Sequence, residues 1–203
     1  MSIDLRSKFF GPSQEEVWRK FAEEIDGYYE HGAIFETKKI ISKYEPWMIT
    51  IDTSSKSIGN IYTTYTRFTA NFRNSEGFDI EVYKRDVFQN IGIGLGMQDI
   101  NIGFSDFDEA FVIKGNNEDK IKELFSSEKI RELLMNQPNV HIEVNEKGWF
   151  GTKNPVDQLL LETEKVVKDI DRLKELYMLF ILLLNKLSLM EPEEIEEVVE
   201  LVE

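Results

Sequence analysis

Cysteine does not occur among the 203 residues, which excludes disulfide staples, zinc–thiolate centres, iron–sulfur clusters and thiol nucleophiles. Histidine is nearly as scarce, with only His31 and His141. Long apolar runs are missing too. The longest, Leu176 to Leu184, ends at Asn185-Lys186, whereas a bilayer-spanning helix needs about 20 apolar residues. The opening Met1-Ser2-Ile3-Asp4-Leu5-Arg6 shows no basic start, apolar run or small-residue cleavage site of a signal peptide, so the expectation is a cytoplasmic protein without a membrane span. Positive charge is short as well. Lys and Arg number 24 against 38 Asp and Glu, for a net charge of −14 and a pI near 4.7. An acidic protein of this kind repels phosphate backbones at long range, so no nucleic acid is expected as a partner.

What is present suits a folded domain. Hydrophobic residues make up 41% and aromatic residues 12%, enough for a core of ordinary density. Ser13 and Glu16 form a capping box, and Val17, Trp18, Phe21, Ile25, Tyr28 and Tyr29 recur at helical spacing behind them, with Gly32 as the stop. From Ala33 the period changes to two. Residues 33–44, Trp47/Ile49/Ile51 and residues 61–73 read as strands. Asn74-Ser75-Glu76-Gly77 then predicts a hairpin into Phe78, Ile80 and Val82, making a four-strand antiparallel meander. A strand over 109–114, short helices over 117–125 and 127–135, and a strand through Val140, Ile142 and Val144 follow.

In the last quarter, Leu159, Thr163, Val166, Ile170, Leu173, Tyr177, Phe180, Leu184 and Leu187 step by four and three. This spacing predicts one coiled-coil-like helix from Asp157 to Leu189. At 1.5 Å per residue it would run about 50 Å, past a domain about 40 Å across. Pro192 would open a second, acidic helix. The expected fold is therefore α+β: a mainly antiparallel, curved sheet of six or seven strands with an N-terminal helix, two short central helices and a long C-terminal helix. Residues 1–154 form the α+β domain. Residues 155–203 form a helical segment packed on that domain or on a partner.

Chemistry-bearing patterns are sparse. Asp99, Asp106 and Asp108, beside Glu109, could hold an oxygen-liking cation, but no Asp-x-Asp-x-Asp-Gly loop with a distal Glu is present. Gly92-x-Gly94-x-Gly96 lacks the spacing of a dinucleotide loop, and no cofactor is expected. His31 sits at a helix end. His141 lies on the polar face of its strand with Glu143, and no partner nucleophile is evident for it. Tyr62, Tyr65, Arg67, Phe68, Phe72 and Arg73, with Tyr83, Lys84 and Arg85 on the expected partner strand, could stack a base or an aromatic ligand, or could form an ordinary sheet.

The stretch Gln98-Asp99-Ile100, then Gly103, then Phe107-Asp108-Glu109-Ala110-Phe111-Val112-Ile113-Lys114 resembles bacterial and archaeal domains of unknown function that carry an "FDxxF" element before two Leu-rich helices. The resemblance covers about 40 residues and implies an α+β domain with a curved sheet and no established activity. Those domains often carry membrane helices, which this chain lacks.

Three readings of function stay open. The leading one is a non-enzymatic binding protein that self-associates as a homodimer, or docks a protein partner, through Leu173, Tyr177, Phe180, Leu184 and Leu187. The second is a small-molecule or lipid-binding module with an apolar cavity between sheet and helix, lined by Trp47, Tyr65 and Phe72. The third is a metal-dependent hydrolase built on Asp99, Asp106 and Asp108.

Overall fold

A computed structural model describes residues 11–31, 38–58, 61–85, 99–145 and 156–192. Along these segments run helix α1 (Gln14–Glu24), strands β1 (Tyr28–Glu30), β2 (Lys39–Tyr44), β3 (Trp47–Ile58), β4 (Ile61–Arg73) and β5 (Ile80–Lys84), helix α2 (Ser105–Ala110), strand β6 (Phe111–Gly115), helices α3 (Glu118–Leu124) and α4 (Glu128–Met135), strands β7 (His141–Asn145) and β8 (Val156–Glu164), and helix α5 (Ile170–Leu189). The eight strands make one open antiparallel sheet in the order β1-β2-β3-β4-β8-β7-β5-β6, which bears out the α+β class.

Alternation along each strand sorts the side chains into two faces. Ile40, Ile51, Phe68, Leu161, Ile142, Val82 and Ile113 are register partners in turn, so one apolar row crosses seven strands from β2 to β6. All seven are buried. Helix α5 covers this face, with Phe180 tilted against Phe68 at 6.0 Å between ring centroids. Helix α1 closes the β2 end, where Phe21 meets Tyr177 edge-on at 6.0 Å. The Trp18 Nε1–H donates to the Val167 carbonyl at 3.0 Å, and the Val167 N–H donates to Thr66 Oγ1 at 2.9 Å. This pins the β8–α5 connection beneath α1.

The expected 33-residue helix is corrected. Residues 156–164 form β8, in the middle of the sheet, and α5 has 20 residues, about 30 Å at 1.5 Å per residue. The misleading signal is a coincidence of periods: Leu159, Leu161 and Thr163 alternate inward as a strand requires, while Leu159 and Thr163 also stand four apart as a helix would place them. The true helix start is Asp169, whose Oδ1 accepts from the Asp171 and Arg172 N–H groups at 2.9 and 3.1 Å. The proposed boundary at 154/155 therefore does not separate a sheet domain from a helical segment. Leu173, Leu176, Leu179, Phe180, Leu183, Leu184 and Leu187 are all buried in the chain's own core.

The hairpin joining β4 to β5 is corrected as well. Asn74 does organise a turn, accepting from the Phe78 N–H and donating to the Phe78 carbonyl, both at 2.8 Å. Its amide also donates to Asp157 on β8. β8 lies beside β4, and β5 pairs with β6 and β7 instead. The first helix is shorter than expected: Ser13 and Glu16 form the capping box, but α1 ends at Glu24 and Tyr28–Glu30 are strand. Gly27 packs so close to β2 that a Cβ there would sit 2.9 Å from the Ile41 carbonyl. The Phe107-x-x-x-Phe111 element forms α2 running into β6, with the two rings stacked at 4.5 Å. The two short central helices stand where the spacing placed them. Residues 33–37, the glycine-rich run 86–98, Trp149-Phe150 and the acidic helix expected after Pro192 lie outside the described residues.

Candidate functional site

The side chains next to the apolar row point away from α5, and across β3, β4, β8, β7 and β5 they read Asp52, Arg67, Glu162, His141 and Tyr83 in register. Charge alternates along this row, as cross-strand pairing favours. Arg67 grips Asp52 with two parallel bonds, Nε to Oδ1 at 2.8 Å and Nη2 to Oδ2 at 2.7 Å. Lys56 reaches across to Glu162 Oε1 and lies 5.1 Å from the Tyr65 ring centre. His141 stands between two carboxylates, with Nδ1 3.2 Å from Glu162 and Nε2 3.3 Å from Glu81. The second contact is a charge contact rather than an aligned hydrogen bond.

Burial would lower the His141 pKa, but Glu162 and Glu81 outweigh it and raise the pKa to about 9. Burial would raise the Glu162 carboxyl; His141 and Lys56 win and lower it. Glu81 is lowered chiefly by His141. At neutral pH the site is thus an imidazolium held by two carboxylates. An imidazole already protonated and held by two carboxylates is no general base. This constellation was illegible in the sequence, because Glu162 lay inside an apparent helical heptad and Glu81 pairs with His141 only through the strand order.

The expected metal residues are placed separately. Asp99 accepts from the Ile113 N–H at 3.1 Å and pairs with Arg85 at 2.8 Å. Asp108 accepts from the Ile102 and Gly103 N–H groups at 2.9 and 3.0 Å. Asp106 is exposed and accepts from the Ser105 hydroxyl at 3.5 Å. Among the described residues no three such side chains group to hold a metal. The expected cavity residues divide between faces: Trp47 and Phe72 are buried in the core, while Tyr65 shares the opposite face with Lys56. Of the seam, Leu173, Phe180, Leu184 and Leu187 face inward, and Tyr177 turns its hydroxyl to Ser42 at 2.7 Å. His31, exposed, lies 3.1 Å from Glu15.

A second site was missed by sequence reasoning. Between α2 and α4 lies a groove of about 710 Å³, lined by Phe104, Asp106, Glu128, Arg131, Glu132 and Met135 among others. Phe107 anchors its wall, packed on Phe111 and, at 5.5 Å, on Phe125. Phe104 and Met135 remain 41% and 40% exposed there. The Arg131 guanidinium sits 3.5 Å from the centre of the Phe104 ring and donates to the Phe125 and Ser126 carbonyls at the end of α3. Phe104 precedes an expected strand in the sequence, and only the short helix α2 brings it opposite α4. No known protein family, curated protein or solved structure matches the chain.

Proposed function

We propose that this chain is a non-catalytic docking protein, cytoplasmic, that holds a protein partner in the α2–α4 groove. The observation that carries this reading is the pair of large apolar side chains, Phe104 and Met135, left in contact with water inside one groove. Its volume falls in the range of ordinary binding sites, about 300–1,000 Å³, and two helices set the two apolar side chains opposite each other in it. The groups best suited to chemistry support the same reading: His141 is locked between carboxylates, and Asp99 and Asp108 are spent on backbone N–H groups. Self-association through α5 is not carried forward, since its apolar stripe already lies against its own sheet.

The test uses an uncharged amphipathic Leu/Gln peptide titrated into isotopically labelled protein, followed by amide NMR. Saturable shifts confined to 103–107 and 128–136 are expected, and Phe104→Ser/Met135→Ser should abolish them while leaving the melting temperature within a few degrees. No saturable response, or an unchanged response in the double variant, overturns the reading.

A further inference from the structure

The charge around the groove points to the kind of partner. Asp106, Glu128 and Glu132 line it, and all three are exposed. Among the described residues the one cation lining it is Arg131, engaged on the Phe104 ring and on two main-chain carbonyls. Glu132 shares Lys129 at 3.1 Å across solvent, a contact of little strength at the surface. Glu128 and Asp106 have no ion pair among the described residues. The groove therefore sets two partly exposed apolar side chains, Phe104 and Met135, among three exposed carboxylates, with the Arg131 guanidinium over one face of the Phe104 ring, on a chain whose net charge is −14.

We infer that the occupant is a cationic amphipathic segment of another protein, laying apolar side chains on Phe104 and Met135 and Lys or Arg side chains over Asp106, Glu128 and Glu132. This rests on the docking reading above and adds the chemistry of the partner. A second copy of this chain carries the same net negative balance of −14, so its long-range approach to an acidic rim is opposed. The helix-in-groove mode supplies this chemistry: apolar anchors on one face of a helix enter the groove, and flanking cations meet the rim. Opposite charges across such a rim act mainly on encounter and selectivity, and they weaken as salt shortens the Debye length from about 14 Å near 50 mM to about 4 Å near 500 mM.

Three peptides of one Leu pattern decide the matter, with Lys, Gln or Glu at the polar positions, each titrated into the full chain at 50 and 500 mM NaCl. The Lys peptide should bind about tenfold more tightly than the Gln peptide at low salt, the Glu peptide more weakly than either, and the ranking should flatten at high salt. Glu128→Gln/Glu132→Gln should remove most of the Lys preference over the Gln peptide, and a preference kept in full would overturn the role of the rim. If Lys and Gln peptides bind the groove equally at both salt concentrations, the cationic partner is wrong while the docking groove stands. If none of the three shifts residues 103–107 and 128–136, the groove itself is wrong. Light scattering at the same concentrations covers the remaining occupant: a groove-dependent dimer would replace the cationic partner with a second copy.

Discussion

Replacing His141 with Gln should erase most of the alkaline loss of stability of this protein. His141 is 23% exposed and its main contact, Glu162, only 4%, so solvent screens the pair weakly. In the unfolded chain the imidazole titrates near 6.5, and in the fold near 9. Each pH unit between those values is worth about 1.4 kcal/mol of preference for the protonated fold, so the clamp contributes about 3 kcal/mol. The sign follows from the raised value: the contribution is complete below pH 6.5 and is lost as pH rises through about 9. The two carboxylates act oppositely, since their lowered pKa values give stability present above the ordinary carboxylate range and lost on acidification. Urea unfolding from pH 5.5 to 9.5, followed by tryptophan fluorescence, should show the wild type losing about 3 kcal/mol across the alkaline limb. His141→Gln should start lower at pH 6 and stay nearly flat. An equal alkaline loss in the variant, or an NMR titration of the His141 ring with a midpoint near 6.5, would refute the clamp.

Gly115→Ala would place a Cβ 2.4 Å from the Asp79 carbonyl and 2.7 Å from Ile121 Cδ1; a loss of about 1–3 kcal/mol is expected in chemical denaturation, and a neutral result would mean that β6 and α3 can part freely. Phe180→Ala should cost about 3–5 kcal/mol with an unfolding midpoint independent of protein concentration, because the residue packs on Phe68 of its own chain; a concentration-dependent midpoint would return α5 to an interface between chains. Asp108→Ala should cost about 1–3 kcal/mol by orphaning the Ile102 and Gly103 N–H groups. Added Mg²⁺, Mn²⁺ or Ca²⁺ should leave the wild-type melting temperature unchanged, and a clear rise would restore a metal to the Asp99, Asp106 and Asp108 region.

Local signals were legible wherever one residue's own chemistry sufficed. The Ser13–Glu16 box, the two short helices over 117–125 and 127–135 and the alternation of Trp47, Ile49 and Ile51 all act over a few residues, and each stands in the structure close to where the spacing placed it. The candidate sites were less legible. Of the residues around His141, sequence reasoning found the face it occupies but not Glu81, Glu162 or Lys56, which lie 60, 21 and 85 positions away and meet it or its partner only across strands. Phe104, Arg131 and Met135 carried no pattern of their own; they become a groove because α2 turns the chain back onto α4.

The one-dimensional pattern thus determined the class of the fold, the faces of strands such as β3 and β4 and the capping box that opens the first helix, because periodicity and capping are read off neighbours in the chain. Only tertiary structure decided that 156–164 enters the sheet between β4 and β7. Leu159 and Thr163 satisfy a helical and an extended period alike, and the choice falls to the strand because Leu161 and Leu159 complete a buried row with Phe68 and Ala70 on one side and Ile142 and Val144 on the other. That insertion shortens the last helix, turns its apolar stripe inward and sets Glu162 against His141. Burial of those side chains, a property of the whole sheet rather than of any segment, is what settled it.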